Sequence, residues 1–315
     1  MAYRQLKPDI RRYQTCALIQ FGYLLRVLQH LATGKPDKVS GLCAKAIRKL
    51  QAKHFDTHLH AQSFYYMQLA AQIQLGQYDA GLQSLDQLLG CVQAGDFNWF
   101  KFRELGLMLM LHTARYEEAV FLFNETVSNP CSEALSESNM LYWEMCCNYL
   151  MLLHRAGTVE TEPQRGRLPV NDEPWQNRIE PEENMAPYTA LLILDWLRLF
   201  QEQRHAELRR LSINLNRHAI RYQKLGVQTR SYCFLKFLCL LSSTDFTGEA
   251  MDTLAISAME QLGKVPVQIA QQTLEIELIP YDALWRLIRK MPEQKDRKSA
   301  PSGVTHSAGS GSCGA

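Results

Sequence analysis

Glycine and proline are scarce in this chain, 17 and 12 among 315 residues, and several of them cluster in two places. Long stretches therefore lack the residues that break regular structure, which favours uninterrupted elements. Strand signals are nearly missing as well, with almost no alternation bounded by Asn-Gly or Asp-Gly turns. No apolar run approaches a membrane span: Leu105–Leu111 and Tyr232–Leu241 are far too short, and the second contains Lys236. Residues 1–12 are polar and basic with no apolar stretch behind them, unlike a secretory signal.

Motifs that carry chemistry are missing too. There is no Cys-x-x-Cys pair, no Gly-x-Ser-x-Gly nucleophile turn and no glycine loop to cradle phosphate. The nine cysteines are irregularly spaced, with Cys146 and Cys147 adjacent and Cys233 and Cys239 in an apolar run. Such a set reads as reduced thiols packed in a core, which places the chain in the cytoplasm. Net charge is only +2, so no global bias points to nucleic acid or acidic membranes.

What is present is helical period. Segments at roughly 14–38, 39–53, 59–75, 78–93, 98–113, 116–128, 136–156, 187–202, 205–225, 228–242, 247–262 and 267–290 read as helices, the last with Pro280 as a point where it can break. Tyr78, Leu82, Leu85 and Leu89 fall on one helix face. A shift of 38 places carries them onto Tyr116, Val120, Phe123 and Val127, Gly76 onto Ala114, and Gly81 onto Ala119. A helix–turn–helix unit copied at a fixed interval marks a repeat architecture.

Leu75-Gly76-Gln77-Tyr78 and Ala114-Arg115-Tyr116-Glu117-Glu118-Ala119-Val120-Phe121-Leu122-Phe123, closing near Pro130, resemble the second-helix half of a tetratricopeptide repeat. The resemblance covers residues 60–130. It departs from the family in its longer period, in Gly81 where alanine is typical, and in lacking the first-helix Trp and Leu-Gly marks. It implies an all-α fold of antiparallel helix pairs stacked as an α-solenoid. In that family the small residue lets paired helices approach and the aromatic fills the gap between them. The last helices resemble the C-terminal pieces of uncharacterised bacterial helical-repeat proteins, a likeness that carries no function.

The expected organisation has N-terminal helical repeats over 1–156 and an acidic, proline-rich loop over 157–186. C-terminal repeats with a capping helix follow over 187–291, then a disordered tail over 292–315. Residues 157–185 hold seven acidic side chains against Arg165, Arg167 and Arg178. Trp175 is unusual in such a loop and is expected to dock on the helices.

One sequence invites a metal-site reading. In His54-Phe55-Asp56-Thr57-His58-Leu59-His60, the Asp-x-His-x-His core resembles the metal-binding opening of amidohydrolase enzymes. Those ligands leave a barrel strand, whereas here helical patterns stand on both sides and no αβ alternation follows. The segment reads as a polar inter-helix turn, with Asp56 or Thr57 as a cap. His112 and His154 read as turn histidines, and Glu117–Glu118 as a solvated helix start. No catalytic, cofactor or metal residue is assigned, and the chain is expected not to be an enzyme.

The helix at 205–225 carries two stripes. Leu211, Leu215, His218, Tyr222 and Leu225 form one, and Arg210, Asn214, Arg217, Arg221 and Lys224 the other. Across 201–236 eight Lys/Arg face only Glu202 and Glu207. Three readings of this excess stand side by side: a solvated face, a partner for the acidic loop, or a polyanion site at Arg210, Arg217, Arg221 and Lys224. Aromatic interleaving is thin there, which argues against a stacking platform for single strands. The function expected is protein or peptide binding in a helical-repeat groove, with nucleic-acid or polyanion binding as the alternative. The partner and the oligomeric state are not legible.

Overall fold

The structure, a computed structural model, describes residues 2–55, 60–168, 175–181, 184–224, 229–244, 246, 248–269 and 275–299. Of residues 2–4, 176, 224 and 292–299 it describes the backbone only. Among the described residues there are helices and no strand.

The chain opens with α1 (Ala2–Tyr13), α2 (Cys16–Ala32) and α3 (Pro36–Ala52). Then come α4 (Gln62–Gln74), α5 (Tyr78–Leu89), α6 (Phe97–His112) and α7 (Tyr116–Val127). A 3-10 turn (Pro130–Ala134) leads into α8 (Glu137–Arg155), followed by the single turn α9 (Trp175–Arg178). The second half holds α10 (Met185–Gln201), α11 (His205–Lys224), α12 (Arg230–Leu241), α13 (Gly248–Gly263) and α14 (Tyr281–Ser299).

Neighbours in sequence are neighbours in space. From α1 to α8, and again from α10 to α13, each helix packs on the next, and α4 also touches α6. Helix α10 is the hub of the second half, meeting α8, α11, α12 and α14. Its sequence explains why: Leu191, Leu192, Ile193, Trp196 and Leu197 are all buried, an apolar surface running most of the way round. A helix apolar on all sides must be enclosed on all sides. The same holds for α6, where Leu105, Leu107, Met108, Leu109 and Leu111 are each at most 1% exposed.

The hairpins share one turn. Gly34, Gly76, Ala114, Gly157 and Gln203 all adopt the left-handed conformation, with φ between 56° and 68°. At each, the next residue's N–H reaches the carbonyl five places back: Lys35 to His30, Gln77 to Gln72, Arg115 to Met110, Thr158 to Leu153, and Arg204 to Leu199. This is the Schellman C-cap, which satisfies the last carbonyls and reverses the chain. A new helix starts two residues after Gly34, Gly76, Ala114 and Gln203. Phe246 (φ 60°) stands in the same relation to α13. The Gly76 and Ala114 turns thus match in geometry as well as in sequence. Small residues sit where these helices cross: Ala119 is fully buried, and a Cβ on Gly81 would meet the Leu109 side chain at 3.3 Å.

Several boundaries differ from the sequence reading. The expected helix 14–38 breaks at Gly34, and α1 was not foreseen. The segment 267–290 is broken at Pro280, as its sequence allows: residues 275–280 are irregular, and α14 begins at Tyr281. That helix then continues through Pro292 to Ser299, into residues expected to be tail. Residues 300–315 lie outside the described residues. All eight described cysteines are free thiols. No helix among the described residues is long and apolar enough to cross a membrane.

Candidate functional site

After α8 the pattern of hairpins changes. Gly157 makes the usual turn, but where a second helix would return, residues 158–165 form no helix and the chain lies along α7. Its backbone N–H groups are received by that helix. Glu160 N–H donates to the Glu117 carboxylate, Gln164 N–H to Asn124 Oδ1 at 2.8 Å, and Arg167 N–H to the Val127 carbonyl at 2.9 Å. Val159 and Leu168 are buried at either end. Gly166 (φ 56°) lies so close that a Cβ there would stand 2.6 Å from the Val127 carbonyl oxygen.

Further along, Trp175 docks on α10. Its indole N–H donates to Asp195 at 3.0 Å and its ring meets Tyr188 edge-on. Arg178 pairs with Glu144 of α8 at 2.8 Å. Between α8 and α10, beneath this strap, lies a cavity of about 660 Å³. The described part of the strap touches α7, α8 and α10, and Arg167 pairs with Glu133 of the 3-10 turn at 2.5 Å. Asp172, Glu173, Glu182 and Glu183, to which the expected pairing of the loop with the basic helix also extends, lie outside the described residues.

On α11 the described members of the two stripes separate, while Leu225 lies outside the described residues. Leu215, His218 and Tyr222 are buried, and Leu211 is half-buried. Arg210, Asn214 and Arg217 are exposed, Arg221 is half-buried, and the Lys224 side chain is not among those described. The inward stripe carries a polar cluster in which the Thr189 hydroxyl lies 2.6 Å from His218 Nε2 and 2.9 Å from the Tyr222 hydroxyl. Burial, then the charge of Arg221, pushes the His218 pKa down to about 4.

This is not the only basic surface. Residues 1–53 hold eleven Lys/Arg against Asp9 and Asp37, a larger excess than that around α11. Lys38 and Lys45 of α3 and Arg26 and His30 of α2 line a shallow groove of about 290 Å³. Simple counting along the first three helices reveals this excess, which periodicity does not.

A buried polar cluster, missed by the sequence reading, joins the two halves. Arg230, at the start of α12, pairs with Glu277. The Glu277 carbonyl lies 2.8 Å from His112 Nε2 at the end of α6, so that nitrogen carries the proton. Burial holds the His112 pKa below its ordinary value, which keeps the ring neutral. Glu275 accepts from Ser231 N–H, and the Ser231 and Tyr281 hydroxyls are 2.7 Å apart. The alternation Glu275-Ile276-Glu277-Leu278 ahead of Pro280 was the available signal for a non-helical segment.

Among the described residues, no group of three or more His, Cys, Asp or Glu is placed to hold a metal ion. Asp56, Thr57 and His58 lie outside them. His54 ends α3 in a left-handed turn, and the His60 carbonyl accepts from Gln20 at 3.0 Å.

These features define an all-helical protein of consecutive packed helix pairs, with an irregular strap after α8. No family model, curated protein or solved structure matches this chain.

Proposed function

We propose that the chain is a non-catalytic, tetratricopeptide-like α-solenoid that binds a protein or peptide segment on its helical surface, in the cytoplasm. The observation that carries this reading is the strap. A helix face that receives backbone N–H groups through Glu117, Asn124 and the Val127 carbonyl has the chemistry to hold a polypeptide. Such bonds recognise main chain whatever the side chains, while buried anchors such as Val159 and Leu168 select sequence. The recurring hairpin turn supports the solenoid part, since stacked pairs present extended surfaces suited to partners of this kind.

The test is capture of tagged protein from its native cells, with and without nuclease, read by mass spectrometry. A discrete partner that survives nuclease supports the scaffold. Recovery that collapses on nuclease treatment overturns it.

The exposure of Arg210 and Arg217 on one face of α11 favours a second reading, a polyanion site completed by Arg221 and Lys224. Charge reversal at Arg217 and Arg221 separates the two. A phosphate-driven partner loses affinity and part of its salt dependence, while a partner held on the strap face is indifferent.

A further inference from the structure

We propose that the cavity between α8 and α10 binds one organic anion, a molecule with an apolar or aromatic body and a carboxylate, sulfonate or phosphate group. This site shares the strap as its boundary but opens onto α8 and α10, not onto the α7 face or α11.

Size comes first. About 660 Å³ lies within the ~300–1,000 Å³ typical of small-molecule sites. The walls come next. Met145, Met151 and Leu152 of α8 face Leu191 and Leu194 of α10, and Trp175 adds an aromatic side. These groups would bury the body of a ligand and exclude water from its contacts.

Charge then sets the sign. Seven ionised side chains line the cavity, four of them arginines. Arg178 is matched by Glu144 at 2.8 Å, and Arg198 by Asp195 at 3.7 Å. Among the described lining residues that leaves Arg155 and Arg165 against the carboxylate of Glu162, a net charge of one positive. The field of Arg165 reaches inside: it lowers the Cys147 thiol pKa against the larger upward push of burial. Both arginines are exposed, so they draw an anion to the mouth of the cavity through a field that salt screens.

The strap gives the site its boundary. Glu162, Pro163, Arg165, Trp175 and Arg178 all belong to the segment that replaces a second helix after α8. A packed helix there would have filled the space with side chains, so the cavity is a consequence of the irregular segment.

The probe is 8-anilinonaphthalene-1-sulfonate, an aromatic anion whose fluorescence rises in apolar surroundings. The full chain is titrated, and energy transfer from tryptophan is followed. The expected result is saturable binding of one probe per chain, with transfer reduced by Trp175→Phe. The pair Arg155→Glu with Arg165→Glu should weaken binding by about tenfold or more, as a Coulombic contribution of this kind predicts. Arg209→Glu, an exposed charge reversal on α11, should leave it unchanged. If the double reversal lowers the melting temperature, Arg155→Gln with Arg165→Gln takes its place, and thermal melts verify its fold. Absence of saturable binding, affinity indifferent to both cavity variants, or an equal loss in the α11 control overturns the proposal.

Discussion

Glu277 grips Arg230 by both oxygens: Nε donates to one at 2.6 Å and the terminal nitrogen to the other at 2.9 Å, with both side chains buried. The same carboxylate accepts the Tyr281 N–H at 2.8 Å, capping α14, while the Glu277 carbonyl meets His112. One residue therefore ties the end of α6, the start of α12 and the start of α14. Fork-to-carboxylate geometry is the strongest form of ion pair, and enclosure makes each partner depend on the other.

Replacing Glu277 by alanine strands the buried Arg230 charge. The expected cost is about 3–5 kcal/mol, the range for breaking one side of a buried pair. Urea denaturation of the full chain measures it, and a loss below about 1 kcal/mol, the level of an exposed pair, contradicts the assignment.

Glu275 should set a pH dependence. Burial, then the neighbouring Glu277 charge, raises its pKa to about 7, while Ser231 and Arg230 act in the opposite direction. The folded chain therefore holds this proton where the unfolded chain has released it. The contribution is fully present below the unfolded carboxyl value of about 4.3 and is lost as pH rises through about 7. Between these limits its slope is up to about 1.4 kcal/mol per pH unit. His218 works the other way: its lowered pKa, about 4, destabilises the fold as pH falls from about 6.5 toward that value. Stability of the wild type minus that of Glu275→Gln isolates the first contribution. A difference flat across pH 5–8 rules it out.

Helix positions were legible because apolar period survives wherever one face is buried, as at Tyr116, Val120, Phe123 and Val127. The first two copies were legible because Gly76 and Ala114 are small. The later turns were hidden because Gln203 and Phe246 occupy left-handed positions that their types do not announce. The strap is not helical over 158–165, in keeping with Pro163. Its lie along α7 depends on Asn124 and the Val127 carbonyl, 40 residues before Gln164 and Arg167, and no local pattern encodes that pairing. The exposure of Arg210 and Arg217 follows from their spacing, whereas the cavity arises from segments distant in sequence.

Ala114 has φ 56°, a conformation its Cβ disfavours. Ala114→Gly should stabilise the chain by about 1 kcal/mol, because relief of that strain outweighs the entropy of an added glycine. The melting temperature should rise by about 2 °C. A fall shows that the turn is not strained.

Gly166 tests the strap itself. Any side chain there meets two obstacles, a φ of 56° and the Val127 carbonyl oxygen 2.6 Å from the Cβ position. Gly34 separates them, since it has φ 62° but nothing within 4 Å of its Cβ. Gly34→Ala should therefore show only the conformational cost, about 1–2 kcal/mol. Gly166→Ala adds a clash with backbone, which the strap can relieve only by moving off α7. Moving off breaks the Arg167 N–H bond to Val127 first, because the two residues are adjacent. The expected sign is local: hydrogen exchange at Arg167 and Gln164 and tryptic cleavage at Arg165 accelerate by about tenfold, equivalent to ~1.4 kcal/mol of opening free energy. Exchange in α4 to α7 should stay at the wild-type rate. Acceleration spread over all helices would mean that the strap is inseparable from the core, and rates unchanged in the strap would mean that it does not lie on α7.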